Sequence, residues 1–513
     1  MPTPHHRLRP DLLARLDARL RRGPRAFGRR FLLASAALWS GIALLLAALG
    51  GGTLALNLAA WRAPGWTARI AATLLLLAAL VLIRAVIGAF AARLDPPEGI
   101  KLRVAHAPAL FEMISGLCRQ LDTRPVHRVL VTAEFNAALA QTPRWGLFGG
   151  HRNTLLIGLP LMCALDRDEL AAVIAHELAH IADAMPPGAR VYRQRRTFIA
   201  LRARARAQLR DHGGAPACIA RWLLDAIARW YEPRSFVLSR RHEFDADRLA
   251  ARVLPPAVLG RALVHIELVA GWMNERFWPR LYAHADRKPL PPFLPHVSMV
   301  RHIAEGRRGW AEPGRLAQAL ARGALPGDTH PALATRLAAL DVTAQIPAPV
   351  APPQTAAAVL LGPTTRVLAN ALDRQWWNRR GRAWRRRYER MRRAAERLEQ
   401  WRGRPIDSLT PLEQEECAVL LAERGARAHA ATVFAHLIDR VRDAPRPRYL
   451  YGCLLLSAED ARGLDLLLSA ALLAPDMRDD CRRAGQRWFA DHGAPADARA
   501  WMKQLDRLAT SRL

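Results

Sequence analysis

An uncharged run of 31 residues, from Phe31 to Trp61, limits what this chain can fold into. Such a run is long enough to cross a lipid bilayer with room to tilt. Because a basic segment precedes it, a secretory signal peptide is the rival interpretation, but the apolar core of such a peptide is only about half as long. We therefore predict a transmembrane helix here.

A second apolar stretch follows at once, from Trp66 to Ala92, and we predict that it crosses the membrane as well. Its charge-free part, Ile70 to Ile83, is flanked by Arg69 and Arg84, whose long side chains can reach the interface. An interfacial or buried helix is the alternative for this weaker stretch. Two helices at residues 31–93 would anchor the chain as a hairpin.

The arginines lie outside this hairpin. The connection between its helices, Arg62 to Gly65, is short and nearly neutral, whereas both outer flanks are rich in arginine. The positive-inside rule then places the basic N-terminus, residues 1–30, and everything after Arg93 in the cytoplasm of a bacterium. Six scattered cysteines, none in CxxC spacing, agree with a reducing compartment. We predict a multi-pass protein of the bacterial inner (cell) membrane.

The net charge of +31 is carried almost entirely by arginine. No zinc knuckle, RNP-like segment or helix-turn-helix pattern accompanies it, so we predict membrane lipid as the partner and no nucleic acid. The basic segment 190–210 is either a solvated helical face or a contact with anionic headgroups. A second basic segment, WWNRRGRAWRRRYERMRR, carries Trp376, Trp377 and Trp384. We expect it to pack its tryptophans on the preceding domain.

The segment Ala171 to Asp183, AAVIAHELAHIAD, carries chemistry. His176 and His180 are four residues apart, so they project from one face of a helix and can share one zinc ion. Glu177 lies beside them, where a carboxylate can accept a proton from water that zinc has acidified. A buried helix that happens to carry two histidines is the alternative. The pattern predicts peptide hydrolysis.

A zinc site of this kind needs a third protein ligand. The segment Ser239 to Ala251, SRRHEFDADRLAA, offers Glu243 as that ligand and, four residues later, Asp247 to receive the free N–H of a ligand histidine. A solvated charged helix is the alternative. His242 is a weaker candidate ligand because its ring points about 100° away from the Glu243 face.

Together these segments resemble the HtpX-like and CAAX-prenyl-protease-like membrane metallopeptidases, family forty-eight of the metallopeptidases. The resemblance covers about Pro97 to Leu340. It rests on five segments: EFNAALA at 134–140, GGHRNTLLIGLPLMCALDRDELAAVIAHELAH, HELAH within it at 176–180, SRRHEFDADRLAA, and DTHPALATRL at 328–337.

The resemblance implies a gluzincin site with one Zn²⁺ per chain. Its ligands would be His176, His180 and Glu243, with Glu177 as the base and Asp247 orienting a ligand histidine. His330 and Arg336 match the family's HP-x4-R segment, whose histidine has been linked to the active site in relatives. For the group that stabilises the oxyanion, His330, Tyr192 and Tyr231 all remain open.

Around the metal motifs the pattern is mostly α-helical with a small β-sheet, an α+β domain. VHRVLVTAEF and NTLLIGLP read as strands, and Asn136 to Ala140 is our candidate for the edge strand that holds an extended substrate. Residues 110, 114, 117 and 121 are apolar at helical spacing. Trp272 to Pro295, rich in aromatics and prolines, reads as an irregular loop.

These features predict five regions. The basic N-terminus is residues 1–30, and the transmembrane helices are residues 31–93. A zinc metallopeptidase domain is expected at residues 94–345, a Pro-rich linker at 346–356, and an α-helical domain at 357–513. Its short paired helices weakly resemble a tetratricopeptide-type repeat, which would serve protein contacts.

The sequence therefore predicts a membrane-anchored zinc endopeptidase that hydrolyses unfolded or membrane-associated polypeptides in protein quality control. The alternative is a membrane-bound scaffold or holdase that acts through the C-terminal helices and has a structural zinc site. An intact Glu177 favours the enzyme, because a structural site has no need for a base beside its ligands.

Overall fold

The structure is a computed structural model of the chain. It describes residues 10–63, 65–90, 97–143, 151–182, 215–323, 330–342, 352–492 and 494–510, with short pieces between 191 and 207. Some predictions lie outside these residues: the turn at 144–150, much of the basic segment 190–210 including Tyr192, and most of the linker. The chain forms two compact units, Met1–Trp278 with Phe293–Trp377, and Pro279–Pro292 with Asn378–Leu513.

Three helices open the first unit: α1 (Pro10–Arg22), α2 (Pro24–Arg62) and α3 (Trp66–Phe90). α2 and the part of α3 up to Arg84 are each long and apolar enough to cross a membrane. They pack together, and the Asn57 side-chain amide donates a hydrogen bond of 3.0 Å to the Thr73 hydroxyl. Most of their large apolar side chains are exposed, as on Leu44 at 70%. This pattern suits lipid contact.

A four-stranded mixed sheet lies beside the metal motifs, as predicted. Its strands are β1 (Ile100–Leu102), β2 (Arg128–Thr132), β3 (Ala137–Pro143) and β4 (His151–Gly158), in the order β1-β2-β4-β3. β2 and β4 are parallel, and the other two pairs are antiparallel. β3 is an edge strand, so the candidate segment Asn136 to Ala140 does lie at an edge.

The main core forms between this sheet and the helices of the first unit. α4 (Pro108–Gln120) buries Leu110, Ile114 and Leu117, as its spacing predicted. α5 (Leu159–Ala164) and α6 (Arg167–Ala179) are buried almost throughout. α6 begins in a capping box, in which Asp166 and Glu169 satisfy each other's backbone N–H groups. The helix with the HELAH motif is therefore fixed at its start and enclosed along its length.

Further helices follow along the chain as far as Gln400. They are α7 (Ala215–Ala250), α8 (Pro256–Trp272), α9 (Trp278–Ala283), α10 (Met299–Glu305), α11 (Arg307–Trp310), α12 (Pro313–Ala321), α13 (Leu333–Ala339), α14 (Ala356–Leu361) and α15 (Thr364–Gln400). α9 and α15 each continue across the boundary between the units. The prediction of an irregular loop from Trp272 to Pro295 is wrong for the first half of this segment. There, a π-helical turn, Met273–Phe277, connects α8 to α9.

The second unit is helical in its described residues. After the end of α15 it contains α16 (Pro411–Glu423), α17 (Arg427–Arg440), α18 (Pro445–Leu456), α19 (Gly463–Leu473), α20 (Arg478–Asp491) and α21 (Pro495–Thr510). Consecutive helices pack in pairs, α16 with α17 and α18 with α19. The Trp384 indole N–H donates to the Lys288 carbonyl oxygen within this unit. The tetratricopeptide-type repeat stays a prediction.

Candidate metal centre and active site

The end of α6 presents three potential metal-binding side chains. Ligand atoms of His176, Glu177 and His180 all lie within 4.8 Å of one another. Both imidazoles are buried, and Glu177 is partly exposed. Because the neighbouring residues of α6 are alanine, valine, isoleucine and leucine, buried in the core, the helix has little freedom to move these side chains.

α7 brings Glu243 to the same place, fully buried. One of its carboxylate oxygens lies 3.5 Å from His176 Nε2, and the other lies 3.7 Å from His180 Nε2. Two ligand atoms of the same tetrahedral zinc ion, each about 2.0–2.2 Å from the metal, lie roughly 3.3–3.6 Å from each other. Among the described residues, no donor hydrogen-bonds the Glu243 oxygen facing His180. The three side chains therefore fit a shared zinc ion by spacing and by chemistry.

The protonation states of Glu243 and His180 suit a cation. Burial alone raises the pKa of Glu243, but hydrogen bonds from His176 and His330 outweigh it and hold the pKa well below its usual value. Burial lowers the pKa of His180 well below its usual value, and the neighbouring His176 adds to this. An ionised carboxylate thus faces a neutral imidazole, as a metal requires of its ligands.

Asp247 contacts the ring nitrogen of His176 that does not face Glu243. Its Oδ1 lies 2.9 Å from His176 Nδ1, so an N–H on that nitrogen donates to the carboxylate and leaves Nε2 directed toward Glu243. Arg336 of α13 closes the other side of Asp247 through two hydrogen bonds, of 2.8 and 2.6 Å. Although burial raises the pKa of Asp247, these partners lower it below its usual value.

Glu177 faces the cleft from the other side of the site. One of its carboxylate oxygens accepts a hydrogen bond of 3.0 Å from the backbone N–H of Leu139 on β3. Burial, with the nearby Glu243 charge, raises the pKa of Glu177 above its usual value. A carboxylate with a raised pKa is a stronger base, so this position suits proton transfer.

His330 lies at this site although it is 87 residues from Glu243 in sequence. Its Nδ1 is 2.8 Å from Glu243 Oε2, and its side chain is 56% exposed, facing the cleft. Tyr231, a second candidate for the oxyanion, packs instead against Phe31 and Phe198 in a separate cluster. The third, Tyr192, lies outside the described residues.

His242 is buried beside His180, with 5.0 Å between the ring centroids. Burial lowers its pKa to about 4. Glu243 has one oxygen close to His176 Nε2 and the other close to His180 Nε2. This geometry favours Glu243 over His242 as the third ligand, in agreement with the direction in which the His242 ring leaves the helix.

A cavity of about 320 Å³ opens beside His176 and Glu177. Its wall includes Leu259, Leu263 and Ile266 of α8, and Glu267 and Arg322 at its margin form an ion pair of 3.0 Å. These residues were not predicted from the sequence. The spacing of the three apolar residues marked a helical face, but nothing in the sequence assigned that face to the metal motif rather than to the core.

A helical HExxH group, with a carboxylate from a second helix as the candidate third ligand and a cleft beside it, is typical of a zinc metallopeptidase. Residues 147–344 match the family model described as Peptidase family M48. The chain therefore carries an M48 zinc metallopeptidase domain, preceded by two helices of membrane-spanning length and followed by helices.

Proposed function

We propose that this protein is a membrane-anchored zinc endopeptidase that cleaves unfolded or membrane-associated polypeptides from the cytoplasmic side of a bacterial inner membrane. The observation that carries the proposal is the convergence of three buried groups. His176 and His180 of one helix meet the carboxylate of Glu243 from another at the spacing of zinc ligands.

In this proposal His176, His180 and Glu243 hold one zinc ion per chain. When bound, zinc polarises a peptide carbonyl and acidifies water. Asp247 fixes the His176 ring through Nδ1, and Arg336 holds Asp247 in turn. The open side of the group faces the cleft that Glu177 and His330 line.

Glu177 is the proposed general base. Its carboxylate takes a proton from the attacking water and returns it to the leaving amine, so its raised pKa suits both steps. The Leu139 N–H keeps the carboxylate in position. His330, exposed beside Glu243, is the proposed donor to the negative charge that develops on the scissile carbonyl oxygen.

The edge strand supports an extended substrate. Asn136 O accepts from Gly158 N–H on the β4 side, whereas the Leu139 N–H points the opposite way, toward Glu177. A peptide added along β3 would therefore lie at the catalytic carboxylate. Only chain segments without a fold of their own can lie extended there, which favours unfolded or membrane-associated proteins and a role in protein quality control. We assign protein contacts to the C-terminal helices and lipid contacts to the hairpin.

The test is the substitution Glu177→Gln in the full-length protein, purified in detergent. We expect it to keep about one zinc per chain by elemental analysis, because the ligands are intact. Casein cleavage should fall by about 10²–10⁴-fold with the loss of the base. Glu305→Gln, at an exposed position of α10, is the matched control and should cleave at the wild-type rate.

Undiminished cleavage by Glu177→Gln would contradict the proposal. A variant that no longer cleaves, yet fully complements a strain lacking the gene, would favour the scaffold alternative.

A further inference from the structure

A second cavity, of about 560 Å³, lies where α1, α2 and α7 meet. Arg19 and Arg22 of α1, Arg30 of α2 and Arg234 of α7 line it. The first three are exposed and Arg234 is half-buried. Four arginines from three helices thus line one concave space.

These four arginines have no carboxylate within ion-pair distance among the described residues. Other arginines nearby do: Arg202 and Arg206 both pair with Asp225, on the same helix as Arg234. Burial, with the positive charge of Arg19, lowers the pKa of Arg234, as expected when cations face each other without a counter-ion. The cavity therefore has an uncompensated positive charge.

The cavity also has an aromatic wall. Phe31 and Trp230 stack with ring centroids 5.6 Å apart and planes within 10°. The Arg234 guanidinium carbon lies 5.2 Å from the Trp230 ring centroid, and its Nη1 donates to the Trp230 carbonyl oxygen. These contacts hold one cation in place beside an apolar surface. A ligand with an anionic head and an apolar body fits both features.

The position along the chain points to the same ligand. Arg30 is the last charged residue before the 31 uncharged residues of α2, so the cavity lies where a membrane helix changes from polar to apolar. Arginines at this level meet lipid headgroups. Lipid phosphates would also be present at high local concentration around an anchored chain.

We propose that this cavity binds the phosphate group of an anionic glycerophospholipid, with the acyl chains along α2. α7 also carries Glu243, nine residues beyond Arg234 and about 13 Å further along the helix. A bound lipid would therefore fix the distance from the membrane of α7, the helix that supplies the carboxylate of the proposed metal site. The proposal rests on the proposed membrane anchoring but not on peptidase activity.

The test compares two double variants of the full-length protein in detergent. Arg19→Gln/Arg30→Gln removes two cavity cations. Arg25→Gln/Arg29→Gln removes two exposed arginines near the start of α2 that do not line the cavity. Native mass spectrometry then measures titration with phosphatidylglycerol and with phosphatidylcholine.

We expect wild type and the Arg25/Arg29 variant to bind phosphatidylglycerol alike and in preference to phosphatidylcholine. The Arg19/Arg30 variant should bind about thirtyfold more weakly, since each arginine near an anionic headgroup contributes roughly fivefold. Arg234→Gln alone should weaken binding by about fivefold.

Equal weakening in both double variants would reveal only a general basic belt and overturn the proposal. So would equal affinity for the two lipids, or displacement of phosphatidylglycerol by millimolar inorganic phosphate, which would identify a site for free phosphate. Lipid binding is measured without casein, so its failure is distinct from failure of the peptidase assignment.

Discussion

The pair of Asp247 and Arg336 shows how single residues at this site depend on each other. Asp247 hydrogen-bonds both His176 Nδ1 and the Arg336 guanidinium, and it is buried. Its charge is therefore matched on one side by arginine while it fixes the tautomer of a proposed zinc ligand on the other. Arg336 therefore supports the proposed metal site through Asp247, and its Nη2 atom also lies 3.5 Å from His176 Nδ1.

Asp247→Asn should weaken zinc binding by about 10–100-fold, because the amide orients His176 less strongly and no longer raises its basicity. Competition with a chromogenic chelator measures this affinity. Asp245→Asn is the matched control, since Asp245 pairs with Arg241 and Arg248 on the surface of the same helix. Equal affinities in the two variants would contradict the orienting role.

The pH dependence of zinc binding follows from His176. Burial lowers its pKa, but the hydrogen bonds that its ring donates to Asp247 and Glu243 outweigh burial and raise the pKa to about 9. Without metal, His176 therefore keeps its proton at neutral pH, and zinc must displace that proton. His180 is already neutral and Glu243 already ionised, because their pKa values are lowered.

We expect zinc affinity to rise about tenfold per pH unit between pH 7 and 9 and to level off above, with one proton released per zinc. Calorimetry in buffers of different ionisation enthalpy measures the proton count. In Asp247→Asn the rise should move to lower pH. Affinity independent of pH between 7 and 9 would refute this assignment.

At the residue scale the sequence predicted part of the site. The HELAH spacing is local, so one helical turn was enough to bring His176 and His180 together. His330 and Arg336 come from a segment almost ninety residues beyond Glu243 and Asp247. Their contacts depend on the packing of α13 against α7 and α8, which no local pattern encodes.

At the scale of elements, the junction of β4 and α5 lies against the chain that leads into the edge strand β3. Gly158 ends β4, and a Cβ atom there would lie 1.7 Å from the Glu134 carbonyl oxygen. Its backbone is extended and open to any residue, so the requirement for glycine is the close approach alone. Glu134 lies just before β3, so the chain leading into β3 passes directly against the end of β4.

Gly158→Ala should lower the free energy of unfolding by about 1–3 kcal/mol or more, because the methyl group forces the two backbones apart. Thermal unfolding in detergent measures the change. Gly314→Ala in α12, where nothing lies within 4 Å of the added atom, is the control and should not lower the melting temperature. An unchanged melting temperature in Gly158→Ala would mean that the junction relaxes freely.

The type of an element was predictable where its sequence pattern was clear. Examples are the long uncharged run of α2 and the helical spacing of the apolar residues in α4. The segment Trp272 to Pro295 was misjudged because its prolines and aromatics are typical of loops. In the structure Phe277 packs on Trp272 and Phe293 within the core, so tertiary packing stabilises a π-helical turn and a short helix up to Ala283. Burial of the aromatic rings outweighed the local preference.

At the scale of the whole molecule, the membrane anchor and the peptidase domain share one unit. α1, α2 and α7 bury a common cluster that includes Leu20, Phe31 and Tyr231. The hairpin predicted as a tether therefore also packs against the helix that carries Glu243. The predicted domain boundaries stay predictions. The two compact units divide between Trp278 and Pro279, between Pro292 and Phe293, and between Trp377 and Asn378.

The orientation of the chain can be tested through its own cysteines. All six are free thiols, and Cys218 on α7 is exposed, whereas four are buried and Cys453 is partly buried. If the peptidase domain faces the cytoplasm, a membrane-impermeant maleimide should label Cys218 in a Cys453→Ser protein only after spheroplasts are lysed. Ala63→Cys, between α2 and α3, in a chain with Cys218→Ser and Cys453→Ser should react in intact spheroplasts. Labelling of Cys218 before lysis would reverse the orientation that the arginines predict, and with it the compartment in which substrates are sought.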